Sequence, residues 1–165
     1  MGRNTFGFTL IEVLLAVGLL GVLLALGIAS FGQSNTKLKL DSTSRQIVSI
    51  LAEARSKAME ADVEDQPTPS VYGVHFDSDK FTLFRGNSYD SLNPDNFIVA
   101  TENVTISPNL PCGVPTECSN VIFTRVSGEV VGFDPALNWI CLTSGSSATK
   151  LTLNFLGVVD EQENC

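Results

Sequence analysis

The sequence predicts an α+β protein in which a long N-terminal helix, membrane-spanning in its first half and amphipathic in its second, packs on an antiparallel β-sheet. Three observations lead there. An apolar run free of charge extends from Val13 to Phe31. A stripe of apolar and small residues then recurs at helical spacing from Leu40 to Ala61. The rest, from Val71 to Val159, reads as short strands separated by turn-forming residues. A chain of 165 residues with 44% hydrophobic content accommodates one membrane helix and one modest globular domain.

The nineteen residues Val13 to Phe31 span about 28 Å as a helix, close to the hydrocarbon thickness of a bilayer. Glu12 stands alone at the mouth of this run. A carboxylate there costs free energy in a membrane, so it needs a role. Ahead of it lies a short polar leader, Met1 to Gly7, carrying Arg3. A secretory signal has its cleavage site after the apolar stretch, whereas here the expected cut precedes it.

This arrangement resembles the type IV prepilins and pseudopilins, and Gly7-Phe8-Thr9-Leu10-Ile11-Glu12-Val13-Leu14-Leu15 carries the resemblance. It implies that prepilin peptidase cuts between Gly7 and Phe8 and methylates the new amino group of Phe8. It also implies that Glu12 sets assembly register by pairing with the N-terminal ammonium of a neighbouring subunit. Among packed apolar helices both charges are poorly solvated, and pairing them selects one axial offset. The implied partners are other pilin or pseudopilin subunits, the peptidase, the inner-membrane assembly platform and the lipid bilayer. The implied location is single-pass in the inner membrane with an extracytoplasmic globular domain, and then a pilus or pseudopilus. The resulting division is a prepilin leader at 1–7, a transmembrane and assembly helix at 8–31, its amphipathic continuation at 32–61, and a β-rich domain at 62–165.

Gly18, Gly21 and Gly27 are either close-approach points between helices or the glycines common in membrane helices. Many major pilins have proline where this chain has Ala29, so no proline-driven melting is expected there; Gly32 to Asn35 is the weak patch. In the second half, Leu40, Ser44, Ile47, Leu51, Ala54, Ala58 and Ala61 form the stripe, read as packing on a sheet. Glu53 precedes Lys57 by four residues, the favourable order for an ion pair. Pro67 and Pro69 lie in an acidic loop, Asp62 to Ser70, that ends the helix.

Tyr72 to Phe76 and Phe81 to Phe84, joined by Asp77-Ser78-Asp79-Lys80, form a hairpin pattern. Arg85 to Asn96 reads as a long irregular loop, followed by strands at Phe97 to Ile106, Val121 to Arg125, Gly128 to Phe133, Trp139 to Thr143 and Leu151 to Leu156. The strand pattern, with Leu51-Ala52-Glu53-Ala54-Arg55-Ser56-Lys57-Ala58, is similar to the GspH/FimT group of minor pilins. Some members of that group bind DNA through arginines near a C-terminal glycine. Here Gly157-Val158-Val159-Asp160-Glu161 has none, and the net charge of −8, which becomes −9 when Arg3 leaves with the leader, also disfavours direct nucleic-acid binding.

No catalytic constellation, phosphate loop or dinucleotide fingerprint occurs, and the expectation is a structural subunit with no cofactor, no metal and no enzymatic activity. His75, the only histidine, is read as an ordinary strand residue on the face opposite Tyr72, Val74 and Phe76. Asp77, Asp79, Asp90 and Asp95 are assigned to turns, lacking an ordered calcium-loop pattern. Asn103-Val104-Thr105 fits a glycosylation sequon within an expected strand. The competing reading of the whole chain is a secreted binding protein whose apolar run is a signal cleaved after Ala29.

Cys112, Cys118, Cys141 and Cys165 allow three pairings. A bridge between Cys112 and Cys118 closes a short loop containing Gly113 and Pro115. One between Cys141 and Cys165 fastens a polar tail, Asp160 to Asn164, that would otherwise fray. These two disulfides are expected.

Overall fold

The computed structural model describes residues 9–60, 71–111 and 119–165, and for Leu26–Ser34 the helical backbone alone. One helix, α1 (Leu10–Met59), is followed by eight strands: β1 (Tyr72–Phe76), β2 (Lys80–Arg85), β3 (Phe97–Ala100), β4 (Thr105–Asn109), β5 (Asn120–Phe123), β6 (Trp139–Ser144), β7 (Ser147–Leu153) and β8 (Val159–Glu163). The chain divides into two compact units, residues 1–35 and 36–165.

In the first unit the helix carries only leucine, valine, alanine and glycine from Val13 to Ala25. In the second, Leu40, Ser44, Ile47, Leu51, Ala54 and Ala58 are all buried, so the stripe read from the sequence faces the core; Thr43 and Ile50 widen it. Ala61, the stripe's last expected member, lies outside the described residues, as do Pro67 and Pro69 and the loop that carries them. Lys57 meets Glu53 at 3.6 Å on the exposed flank.

The expected single sheet is two. Sheet A has the order β3-β2-β1-β5 and sheet B the order β4-β6-β7-β8, every pairing antiparallel. The helix stripe, Val74, Phe81, Leu83, Val121 and Phe123 of sheet A, and Ile106, Ile140, Leu142 and Leu151 of sheet B form one core. The hairpin of β1 and β2 stands as expected, with Val74 opposite Leu83.

Other strand expectations are corrected. Phe97 to Ile106 is not one strand: Asn103 takes φ 58° in an exposed turn, and the chain crosses there from β3 in sheet A to β4 in sheet B. The sequon asparagine is therefore in a turn. Gly128 to Phe133 contributes a single bridge, Val130 with Phe123, because the chain turns at Gly128 and Gly132, both at positive φ. The polar tail is itself a strand, with Thr152 opposite Asp160 and Thr149 opposite Glu163. Strand β7 starts at Ser147, earlier than its apolar residues suggest, and ends at Leu153.

Candidate assembly surface

Helix α1 begins at a side-chain cap. The carbonyl of Thr9 accepts from the main-chain N–H of Glu12 at 3.1 Å and of Val13 at 3.3 Å. Glu12 Oε2 in turn lies 3.5 Å from both the main-chain nitrogen and the hydroxyl of Thr9. Thr-x-x-Glu at a helix start is the spacing of a capping box, in which the carboxylate reaches back to the first unpaired donor. Sequence reasoning missed this capping by Glu12, although Thr9 and Glu12 stand three apart in plain view. Contacts of 3.5 Å are at the outer limit of hydrogen bonding, so the cap holds the carboxylate loosely.

Beyond the cap, all the large apolar side chains from Leu10 to Leu24 are between 51% and 81% exposed. Ile11, Leu14, Leu15, Gly18, Leu19 and Val22 line an open apolar depression on this helix, and a side chain added at Gly18 or Gly21 would meet nothing within 4 Å. An apolar surface of this extent requires lipid or other protein to cover it. Among the described residues, no helix is long and apolar enough to cross a membrane; the side chains from Leu26 to Phe31, the rest of the apolar run, lie outside them. Gly7 and Phe8, the expected cleavage and methylation positions, also lie outside the described residues.

His75 is buried, with Nδ1 2.6 Å from Asn120 Oδ1 and Nε2 3.3 Å from Asp77 Oδ1. Its ring stacks on Tyr89 at 3.9 Å, and Tyr89 meets Phe84 edge-on at 5.6 Å. Both nitrogens and one ring face are thus occupied by structural neighbours. The loop after β2 covers the outer face of sheet A through Tyr89, a contact no local sequence signal announces. Asp90 accepts from the main chain of Leu92 at 3.0 Å, the turn chemistry expected of it. Asp77 closes the turn between β1 and β2, its main-chain N–H donating to the Lys80 carbonyl at 2.9 Å, and its carboxylate lies 3.7 Å from the Lys80 ammonium. No group of three or more metal-binding side chains occurs among the described residues. A polar cleft of about 140 Å³ between α1 and sheet A holds Glu53, Asp95, Lys57 and Arg85, two charges of each sign.

Cys141 and Cys165 form the expected disulfide, their Cα atoms 5.9 Å apart, which ties the chain end to the middle of sheet B. Cys112 and Cys118 lie outside the described residues. After Gly157, strand β8 presents Asp160, Glu161 and Glu163 and no cation. Glu161 accepts from the Ser44 hydroxyl at 2.9 Å and Glu163 lies 3.4 Å from Lys37, so these acids serve packing between helix and sheet.

No curated protein and no solved structure matches the chain. Residues 2–28 match the family model of the prokaryotic N-terminal methylation motif, a match that spans Gly7, Phe8, Glu12 and most of the apolar run and supports a type IV pilin-like precursor.

Proposed function

We propose that the chain is a minor pilin or pseudopilin of GspH/FimT type: a structural subunit, not an enzyme, that is cut after Gly7, methylated on Phe8 and assembled into a type IV pilus or type II secretion pseudopilus. The observation that carries this reading is the methylation-motif match at residues 2–28, which frames the Gly7–Phe8 junction. Two features support it. Exposure of the apolar side chains from Leu10 to Leu24 suits a segment that passes from bilayer to filament core. The Cys141–Cys165 disulfide suits an extracytoplasmic domain in an oxidising compartment. In this reading Val13 to Phe31 spans the inner membrane before assembly.

The intact mass of the mature protein tests it. The expected product lacks Met1 to Gly7 and has gained one methyl group. Loss of everything through Ala29 would instead make the chain a secreted protein with a removable signal.

A further inference from the structure

Among the chain's asparagines, Asn103 alone is followed two residues later by a serine or threonine, the acceptor pattern for N-linked glycans. Such a pattern serves only where a transferase reaches it, and the fold decides that. Asn103 stands in the exposed turn between β3 and β4 at φ 58°, the left-handed region that asparagine tolerates better than most residues. Val104 is 4% exposed and belongs to the core, whereas Asn103 and Thr105 on either side of it are both exposed. The acceptor amide and the threonine hydroxyl are thus offered to solvent together, while the residue between them anchors the segment.

The turn is held from both ends without help from the Asn103 side chain. Thr101 donates its main-chain N–H to the Asp79 carbonyl at 2.8 Å, and its hydroxyl lies 2.8 Å from the Val104 carbonyl oxygen. On the far side the Ile106 N–H donates to the Ser78 carbonyl at 2.9 Å. The side-chain amide of Asn103 makes no hydrogen bond among the described residues. Other asparagines are committed to the fold: Asn93 Oδ1 accepts from the Asp95 N–H at 3.0 Å, Asn96 Nδ2 donates to the Asp90 carbonyl at 2.7 Å, and Asn138 Nδ2 donates to the Leu153 carbonyl at 2.8 Å. A group attached to Asn103 Nδ2 therefore displaces no contact.

We propose that Asn103 is an N-glycosylation site, the acceptor of an oligosaccharide delivered on a lipid pyrophosphate. Asn103 Nδ2 loses a proton to a base of the transferase and bonds to C1 of the first sugar. The bond between C1 and the pyrophosphate oxygen breaks, and the lipid pyrophosphate leaves with the electron pair. Thr105 supplies the hydroxyl by which the transferase recognises its acceptor. Transfer takes place outside the cytoplasm, so the inference rests on the extracytoplasmic placement of the globular domain in the filament reading, a placement that the Cys141–Cys165 disulfide suits.

The test is peptide mapping of the full chain purified from the cells that make it. Cleavage after Arg85 and Arg125 releases the peptide Gly86 to Arg125, which should be heavier than its sequence by a whole number of sugar residues, with the added mass placed on Asn103 by fragmentation. Asn103→Gly keeps the left-handed turn and Thr105→Val keeps the strand. Each should abolish the added mass, and Thr105→Ser should retain it, with hydrogen-exchange protection of β1 and β2 unchanged in all three. A peptide of unmodified mass, sugar on a serine or threonine instead, or sugar that persists in Thr105→Val would each overturn the proposal. The N-terminal peptide of the same digest reports separately on the filament reading: a methylated Phe8 beside an unmodified Asn103 leaves that reading standing and removes this one.

Discussion

Gly157 shows how much one residue decides in this fold. It sits at φ 69° in the turn between β7 and β8, where its main-chain N–H donates to the Asn154 carbonyl at 2.8 Å and Asn154 Oδ1 accepts from Leu156 and Val158. A methyl group built there would run into the ring of Phe123, which is fully buried and cannot yield. Two costs therefore coincide, the left-handed backbone and the overpacked core. Gly157→Ala should destabilise the globular unit by about 2 to 4 kcal/mol, read from its thermal or denaturant midpoint. A change under half a unit of that scale would mean the turn relaxes freely. The sequence showed the glycine and its turn, but not that Phe123 lies behind it, because that contact joins residues 34 positions apart. Thr9 is the opposite case: its capping partner Glu12 lies three residues on and was readable from spacing alone.

Elements were legible where their signal is local. The stripe from Leu40 to Ala58 has helical period, and the β1–β2 hairpin alternates about an Asp-rich turn; both stand as expected. The division into two sheets was not legible, since Phe97 to Ile106 is continuously strand-like and only the left-handed Asn103, with β4 pairing to the distant β6, reveals the crossing. Strand β8 was hidden for another reason. Val159-Asp160-Glu161-Gln162-Glu163 has no apolar alternation, so its order depends on the ladder to β7, the Ser44 and Lys37 contacts, and the Cys141–Cys165 bridge. Removing that bridge should expose the dependence. The double variant Cys141→Ser, Cys165→Ser should lose about 3 kcal/mol, the chain-entropy value for a closed loop of this length. Exchange of the β8 amides should accelerate more than exchange in β1 or β2. Uniform acceleration across both sheets would show that the bridge acts on the unfolded chain alone.

At the scale of the molecule, a helix that presents apolar side chains on all sides as far as Leu24 is stable only when lipid or neighbouring subunits surround it. Glu12 has two demands on it in those settings: capping its own helix with Thr9, and, in the proposed filament, meeting the ammonium of a neighbour. The demands are separable by chemistry. Glutamine serves a capping box as glutamate does but carries no charge, whereas alanine serves neither purpose. Removing one partner of a buried ion pair costs about 3 to 5 kcal/mol, so both Glu12→Gln and Glu12→Ala should enter filaments at least tenfold less than the native chain when co-expressed with it, at a normal level in the membrane. The measurement is the ratio of variant to native subunit in sheared filaments against the same ratio in membranes. Failure of Glu12→Ala alone, with Glu12→Gln assembling normally, would transfer the role of Glu12 from register to capping. Normal assembly of both variants would remove Glu12 from the assembly mechanism altogether.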